Sequence, residues 1–134
     1  MAESFEIEIV TPERVVERDQ VTELQLPTPD GYIGVLAGHA PLITELGIGE
    51  ISYRADNVAY KIAVAWGFAE VLPNKVTILA EVAERAEDID LARAEKAKQR
   101  AEERLRSGNP DTDFDRAQVA LERATARIEV AQKK

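Results

Sequence analysis

The spacing of apolar residues changes near residue 84, and this change constrains the fold more than any other feature of the sequence. Before it, apolar and polar residues alternate with period two, as in Phe5, Ile7 and Ile9. After it, apolar residues recur every three or four positions, and glycine and proline are absent until Gly108. Period two is typical of half-buried strands, and the longer period is typical of amphipathic helices. The chain is therefore predicted to hold a β region followed by an α-helical region.

Turn sequences divide the first region into short strands. The turns lie at residues 27–31, 38–41, 54–57 and 72–75, and each is rich in glycine, proline, asparagine or aspartate. Many short strands at this spacing are typical of a β-sandwich or a β-barrel. Trp66 ends a long alternating run, so we expect it in the core, with a subunit contact as the alternative.

The second region predicts two helices joined by a short link. Asp88 or Asp90 can cap a helix that begins near Leu91, and Asp113 can cap a second one. The first helix has the apolar stripe Leu91, Ala94, Ala97, Ala101 and Leu105, and the second has Phe114, Ala117, Leu121, Ala124, Ile128 and Ala131. The link is short, so we expect an antiparallel hairpin. Its alanine-rich seam buries little area, which predicts a marginally stable hairpin that can move.

Six arginines each precede a residue of these stripes, namely Arg93, Arg100, Arg104, Arg116, Arg123 and Arg127. One position corresponds to about 100° of helical rotation, so the two rows should face each other along one edge of an antiparallel pair. An anion such as a triphosphate would relieve their repulsion, because guanidinium groups bind phosphate bidentately. A solvated charged face is the alternative interpretation of the same rows.

Charge and composition exclude several classes of function. Residues 1–83 hold 13 acidic and 5 basic side chains, which argues against nucleic acid or anionic lipid as a partner. With no cysteine and a single histidine, His39, neither a disulfide nor a zinc cluster is expected. The longest mostly apolar run, residues 62–69, is too short to span a membrane. No phosphate loop or nucleophile motif is present, so we expect no catalytic residue and no metal site.

Three segments resemble the epsilon subunits of bacterial F-type ATP synthases. The first is Gly31–Leu42, the second is Gly67–Val71 followed by Lys75–Ala80, and the third is Glu84–Ala94. They follow the order of that family over essentially the whole chain. The resemblance implies a fold of β sandwich plus α-helical hairpin. The antiparallel β-sandwich, which binds the gamma subunit and the c-ring, would cover residues 1–84. The antiparallel two-helix regulatory hairpin would cover residues 85–134.

The resemblance also implies a non-catalytic role in the central stalk that couples rotation to the c-ring. The hairpin of such subunits can extend along gamma toward the alpha and beta subunits, where it hinders rotation in the direction of ATP hydrolysis. The protein would lie peripherally at the cytoplasmic face of the cell membrane without inserting into it. Two departures from the family stand out: Tyr32 replaces a frequent acidic residue near the c-ring, and Ala65-Trp66-Gly67 replaces a frequent Ser-Gly-Gly.

In some members of the family the folded hairpin binds ATP through an Ile-Asp-x-x-Arg-Ala motif, which stands here as Ile89–Ala94. The resemblance implies a site formed by Glu84, Ile89, Asp90, Arg93, Ala94, Arg100, Arg123 and Arg127. Asp90, with its neighbours Ile89 and Ala94, would contact the base or sugar, and the four arginines would contact phosphates. ATP is then expected as a regulatory ligand, and no cofactor is required. The alternative is a β-capped coiled-coil adaptor without nucleotide sensing.

Overall fold

The computed structural model describes residues 3–132, in which seven strands form one hydrogen-bonded sheet. The strands are β1 (Phe5–Val10), β2 (Val15–Val21), β3 (Glu23–Thr28), β4 (Gly31–Val35), β5 (Leu42–Ala55), β6 (Val58–Val71) and β7 (Lys75–Arg85). Their order across the sheet is β2-β1-β7-β6-β5-β3-β4. The pairing is antiparallel except between β1 and β7, which are parallel.

The sheet folds over itself, and the predicted β-sandwich is confirmed. Strand β2 lies against β5, although the two are not hydrogen-bonded neighbours. The predicted inward row of β1, formed by Phe5, Ile7 and Ile9, is fully buried in the core. The largest other buried side chains are aliphatic: Leu26, Ile51, Ile62, Ile78, Val16, Val21, Val35, Val71 and Val76. This enclosed aliphatic core makes the sandwich the rigid part of the molecule.

The predicted turns lie where the sequence places them. A two-residue loop joins β5 to β6, and both of its residues have positive φ, 51° at Asp56 and 62° at Asn57. Two such residues form the turn type that suits a tight hairpin, and asparagine and aspartate tolerate it well. His39 lies in the β4–β5 turn, where its backbone N–H donates to the carbonyl of Leu36 at 3.2 Å.

Strand β6 has a kink at Trp66 and Gly67, where φ is 56° and 133°. A Cβ atom at Gly67 would lie 2.0 Å from the carbonyl oxygen of Leu79, so no other residue fits there. Trp66 is 38% exposed, and the expectation that it lies in the core is wrong. The physical reason is the positive φ, which interrupts the regular alternation of side chains along the strand.

A short 3₁₀ turn, Ala86–Asp88, leads from the sheet to α1 (Leu91–Arg106) and α2 (Phe114–Gln132). Asp90 caps α1 by accepting the backbone N–H of Arg93 at 3.1 Å. Asp88, the alternative cap, instead pairs with Arg14 at 3.4 Å. Asp113 caps α2 as predicted, accepting the N–H of Arg116 at 3.0 Å.

The two helices pack together through the predicted alanines, since Ala94, Ala101, Ala117, Ala124 and Ala131 are all buried. Phe114 is an exception at 48% exposed, so its place in the seam is wrong. It is the first residue of α2, where the antiparallel partner has already ended at Arg106.

Helix α2 has a second buried face that docks on the sheet. Ala126 and Val130 are buried although they lie outside the predicted seam, and they are one helical turn apart. Ala126 lies against Ala63 and Ala65 of β6, which are buried on the outer face of the sandwich. Within residues 3–132, α2 contacts β5, β6 and β7, whereas the extensive contacts of α1 are with α2. The hairpin is therefore attached to the sandwich through one helix.

Candidate functional site

The docked face of α2 meets the sheet in an ion pair. The Nε of Arg127 donates to the Oε1 of Glu84 at 2.6 Å, and both side chains are about two-thirds buried. Glu84 lies near the end of β7, opposite Ala63 of β6 in the sheet register. A charge-assisted hydrogen bond of this length is stronger than a neutral one. Two residues of the predicted site, one from each region, are thus in direct contact.

One turn before Arg127, Arg123 lies over the indole of Trp66. The guanidinium carbon is 5.5 Å from the ring centroid, which is the geometry of a cation–π interaction. Arg123 and Arg127 are four residues apart, so they extend from the same face of α2. Both guanidinium groups are therefore held by residues of the sandwich.

The space enclosed by Glu84, Arg123, Arg127 and the sheet is small. Its volume is about 10 Å³, which is enough for about one water molecule. The rest of its lining is apolar or small: Ala63, Val64, Ala65, Val82 and Ala126. This space is too small to hold a phosphate group while the Glu84–Arg127 pair is formed.

A larger cavity lies at the end of the hairpin, with a volume of about 650 Å³. Arg100 and Arg104 of α1 and Arg116 of α2 line it, together with the carboxylates of Glu103, Asp111 and Asp113. Arginines from both predicted rows thus line one cavity, whereas Arg123 and Arg127 lie against the sheet. Arg116, Arg123 and Arg127 fall within about 40° of one another on a helical wheel, so the α2 row is continuous along the helix.

The remaining predicted residues lie near the start of α1. The carboxylate of Asp90 caps the helix through the N–H of Arg93, and the Arg93 side chain is exposed. Ala94 is buried in the seam and Ile89 is half-buried. Arg93, Arg100 and Arg123 form no ion pair with any residue from 3 to 132, so their charges remain available.

The structure brings together Glu84, Arg123 and Arg127, and it places Arg100 in the cavity at the hairpin end. The sequence reasoning missed Trp66 as a contact of this site. A signal was present, because a bulky residue followed by glycine within a strand often marks a bulge or a close backbone approach. It also missed the sheet-facing pair Ala126 and Val130, whose spacing of four residues is itself a helical stripe.

The clear pKa shifts lie in the sandwich, away from this site. A hydrogen bond from Arg18 lowers the pKa of Glu8, and burial raises the pKa of Tyr53. Among residues 3–132, no group of histidines and carboxylates is arranged to hold a metal ion. In the same part of the chain, neither helix is long and apolar enough to cross a membrane.

Comparisons with known proteins agree on the family. The β-sandwich domain of the ATP synthase delta/epsilon chain matches residues 4–86, and its long α-helix domain matches residues 87–132. An ATP synthase epsilon chain from Koribacter versatilis is 60% identical over 83% of this chain and 78% of its own length. One from Nitratidesulfovibrio vulgaris is 49% identical over 97% of both chains.

A solved structure shares the fold at low sequence identity. A chain in the Euglena gracilis mitochondrial ATP synthase structure, which contains OSCP, F1 and the c-ring, aligns with a TM-score of 0.81 at 23% identity. The alignment covers 96% of this chain and 81% of that one. Two matched domains, close bacterial relatives and a shared fold lead to one conclusion: the chain belongs to the epsilon subunit family of bacterial F-type ATP synthases.

Proposed function

We propose that this protein is a non-catalytic central-stalk subunit that regulates its ATP synthase by moving the hairpin between a docked and an extended position. The observation that carries the proposal is that the hairpin packs on the sandwich mainly through α2. A hairpin held mainly by Ala126, Val130 and the Glu84–Arg127 pair can leave the sandwich without unfolding it. Extended along gamma toward the alpha and beta subunits, it would hinder rotation in the hydrolysis direction.

The same subunit would bind ATP in the docked state, with the arginines of α2 as phosphate ligands. Arg123 and Arg127 are two of the phosphate contacts that the family resemblance implies, and both lie where the hairpin meets the sandwich. A ligand that binds only the docked state stabilises that state by about 2.7 kcal/mol at a hundred times its dissociation constant. This is comparable to the packing of a small alanine seam, so cellular ATP can act as the signal.

Thermal denaturation of the full chain with and without ATP tests the binding site. We expect ATP to raise the melting temperature of the wild type, and we expect Arg123→Ala to abolish that rise. Arg106→Ala is the matched control, because Arg106 is an exposed arginine at the end of α1, outside the predicted site. Equal shifts in wild type and Arg123→Ala would remove Arg123 from the site.

ATP hydrolysis by the assembled complex separates regulation from the adaptor alternative. The substitution Val130→Asp places a charge on a fully buried position under the sheet and should release α2. We expect stronger inhibition of hydrolysis with this variant, and loss of the relief that ATP gives. A β-capped coiled-coil adaptor without nucleotide sensing predicts unchanged hydrolysis and no ATP effect.

The sandwich would bind gamma and the c-ring from the cytoplasmic face of the membrane, as a peripheral subunit. Tyr32 lies at one end of β3–β4 and is 53% exposed, and its hydroxyl accepts the N–H of Glu50 at 3.1 Å. A photo-reactive amino acid at position 32 should cross-link to the c subunit in the assembled enzyme. The same group at Val58, near the opposite end of β3, is the control.

A further inference from the structure

We infer that Trp66 is a positioning residue of the nucleotide site, because it fixes Arg123 for phosphate binding when the hairpin is docked. The inference rests on the proposed binding of ATP to the docked hairpin. It adds a residue from the sandwich at a position where this chain departs from the usual Ser-Gly-Gly of its family.

The backbone around Trp66 is built to present this side chain. A bulky residue at a φ of 56° is rare and strained, and strained residues concentrate at functional sites. Gly67 permits the kink, because any side chain there would collide with the backbone of Leu79. Because of the kink, the indole does not follow the alternation of side chains between the two faces of β6. It is 38% exposed and lies beneath Arg123.

The contact leaves the hydrogen-bonding groups of Arg123 free. A cation–π contact places no hydrogen-bond acceptor against the guanidinium, which carries five N–H donors. Within the described part of the chain, Arg123 donates no side-chain hydrogen bond and joins no ion pair. Arg127 differs, since its Nε is already engaged by Glu84. Trp66 therefore orients the Arg123 side chain without occupying the N–H donors that would bind phosphate.

The arrangement exists only in the docked state, because Trp66 belongs to the sandwich and Arg123 to the hairpin. Docking restricts the long arginine side chain before the ligand arrives, and this prior ordering increases affinity. A ligand can shift an equilibrium only by as much as its affinities for the two states differ. Trp66 contributes to that difference, which makes the affinity for ATP depend on docking.

Calorimetric titration of the full chain with ATP tests the inference. We expect Trp66→Leu to raise the dissociation constant about three- to tenfold, the size of a partly exposed cation–π contact. Trp66→Phe keeps a ring and should recover much of the affinity. Phe68→Leu is the matched control, since Phe68 is an exposed aromatic on the same strand, two residues further on. Inorganic tripolyphosphate should bind the variants with the same order of affinities, because Trp66 orients an arginine that contacts phosphate.

Amide NMR signals of Ala126 and Val130, recorded without ligand, report docking separately. Unchanged signals in Trp66→Leu together with weaker ATP binding are the expected result. Equal affinities in wild type and Trp66→Leu would overturn the inference and leave the ATP site intact. Undocked signals in Trp66→Leu would assign Trp66 to docking and overturn its positioning role. Absence of ATP binding by the wild type would overturn both the inference and the proposed site.

Discussion

The sandwich and the hairpin are held together by side chains of very different size. The sandwich encloses isoleucine, leucine, valine and phenylalanine side chains that are almost completely buried, whereas the hairpin seam encloses mainly alanine. Full burial of a large aliphatic side chain stabilises by about 1.5–3 kcal/mol, while a single methyl or methylene group contributes about 0.8 kcal/mol. The same chain thus contains one region with a large aliphatic core and another whose packing is much weaker.

The difference also shows where regulation can act. The residues that hold the hairpin on the sandwich are a short list: Ala126 and Val130 on the sheet, and the Glu84–Arg127 pair. None of them belongs to the sandwich core. Changes at this junction should therefore move the hairpin and leave the sandwich folded, and the following measurements test that separation.

The largest effect is expected in the sandwich core. Ile78→Ala removes a fully buried side chain of β7 and should lower the free energy of unfolding by about 3 kcal/mol. Chemical denaturation followed by near-UV circular dichroism measures the change. A loss of much less than about 1 kcal/mol would show that this core is not closely packed.

A smaller effect is expected at the docked face of α2. Val130→Ala removes about two methylene equivalents from a fully buried position and should weaken docking by about 1.5 kcal/mol. Hydrogen exchange should quicken in both helices and stay unchanged in β1 and β7. Equal acceleration of exchange in the strands would show that hairpin and sandwich unfold as one unit, and it would contradict their separate stabilities.

The Glu84–Arg127 pair should contribute less still. A double-mutant cycle with Glu84→Gln and Arg127→Gln should give a coupling free energy of about 1 kcal/mol, because the pair is partly exposed and screened. The cycle is measured from hydrogen exchange of α2, and the coupling should shrink in high salt. A coupling near zero would leave apolar packing as the basis of docking.

The smallest effect concerns the pH dependence of the sandwich. The hydrogen bond from Arg18 lowers the pKa of Glu8, so the ionised carboxylate stabilises the folded state. This stabilisation is present above the pKa of an unfolded glutamate, about 4.3, and is lost as the pH falls through the lower folded value. Glu8→Gln should lower the melting temperature slightly at pH 7 and leave it unchanged near pH 2. A difference that grew on acidification would contradict this assignment.

Periodicity was sufficient to predict the architecture. The period-two row of β1 lies in the core, and the 3–4 stripe of alanines forms the helical seam. These features can be predicted from local sequence, because an apolar face of a strand or helix must be buried against a neighbouring element. The capping aspartates, Asp90 and Asp113, could also be predicted, because a cap bonds to the first turn of the helix that follows it.

Contacts between the regions were harder to predict. Trp66 was predicted in the core because side chains alternate between the two faces of a regular strand. The positive φ at Trp66 interrupts that alternation. The engagement of Arg127 by Glu84 joins residues 43 positions apart, and sequence spacing carries no information about such a pair. The division of the arginine row into a sheet-facing part and a hairpin-end part depends on how far α2 lies over the sheet.

The attachment through α2 has a consequence for the kind of signal the hairpin can send. Although α1 is joined to β7 through residues 86–90, its extensive packing contacts are with α2 rather than with the sheet. When α2 leaves the sheet or returns to it, α1 must move with it. The contacts of α2 with the sheet would therefore determine the position of the whole hairpin.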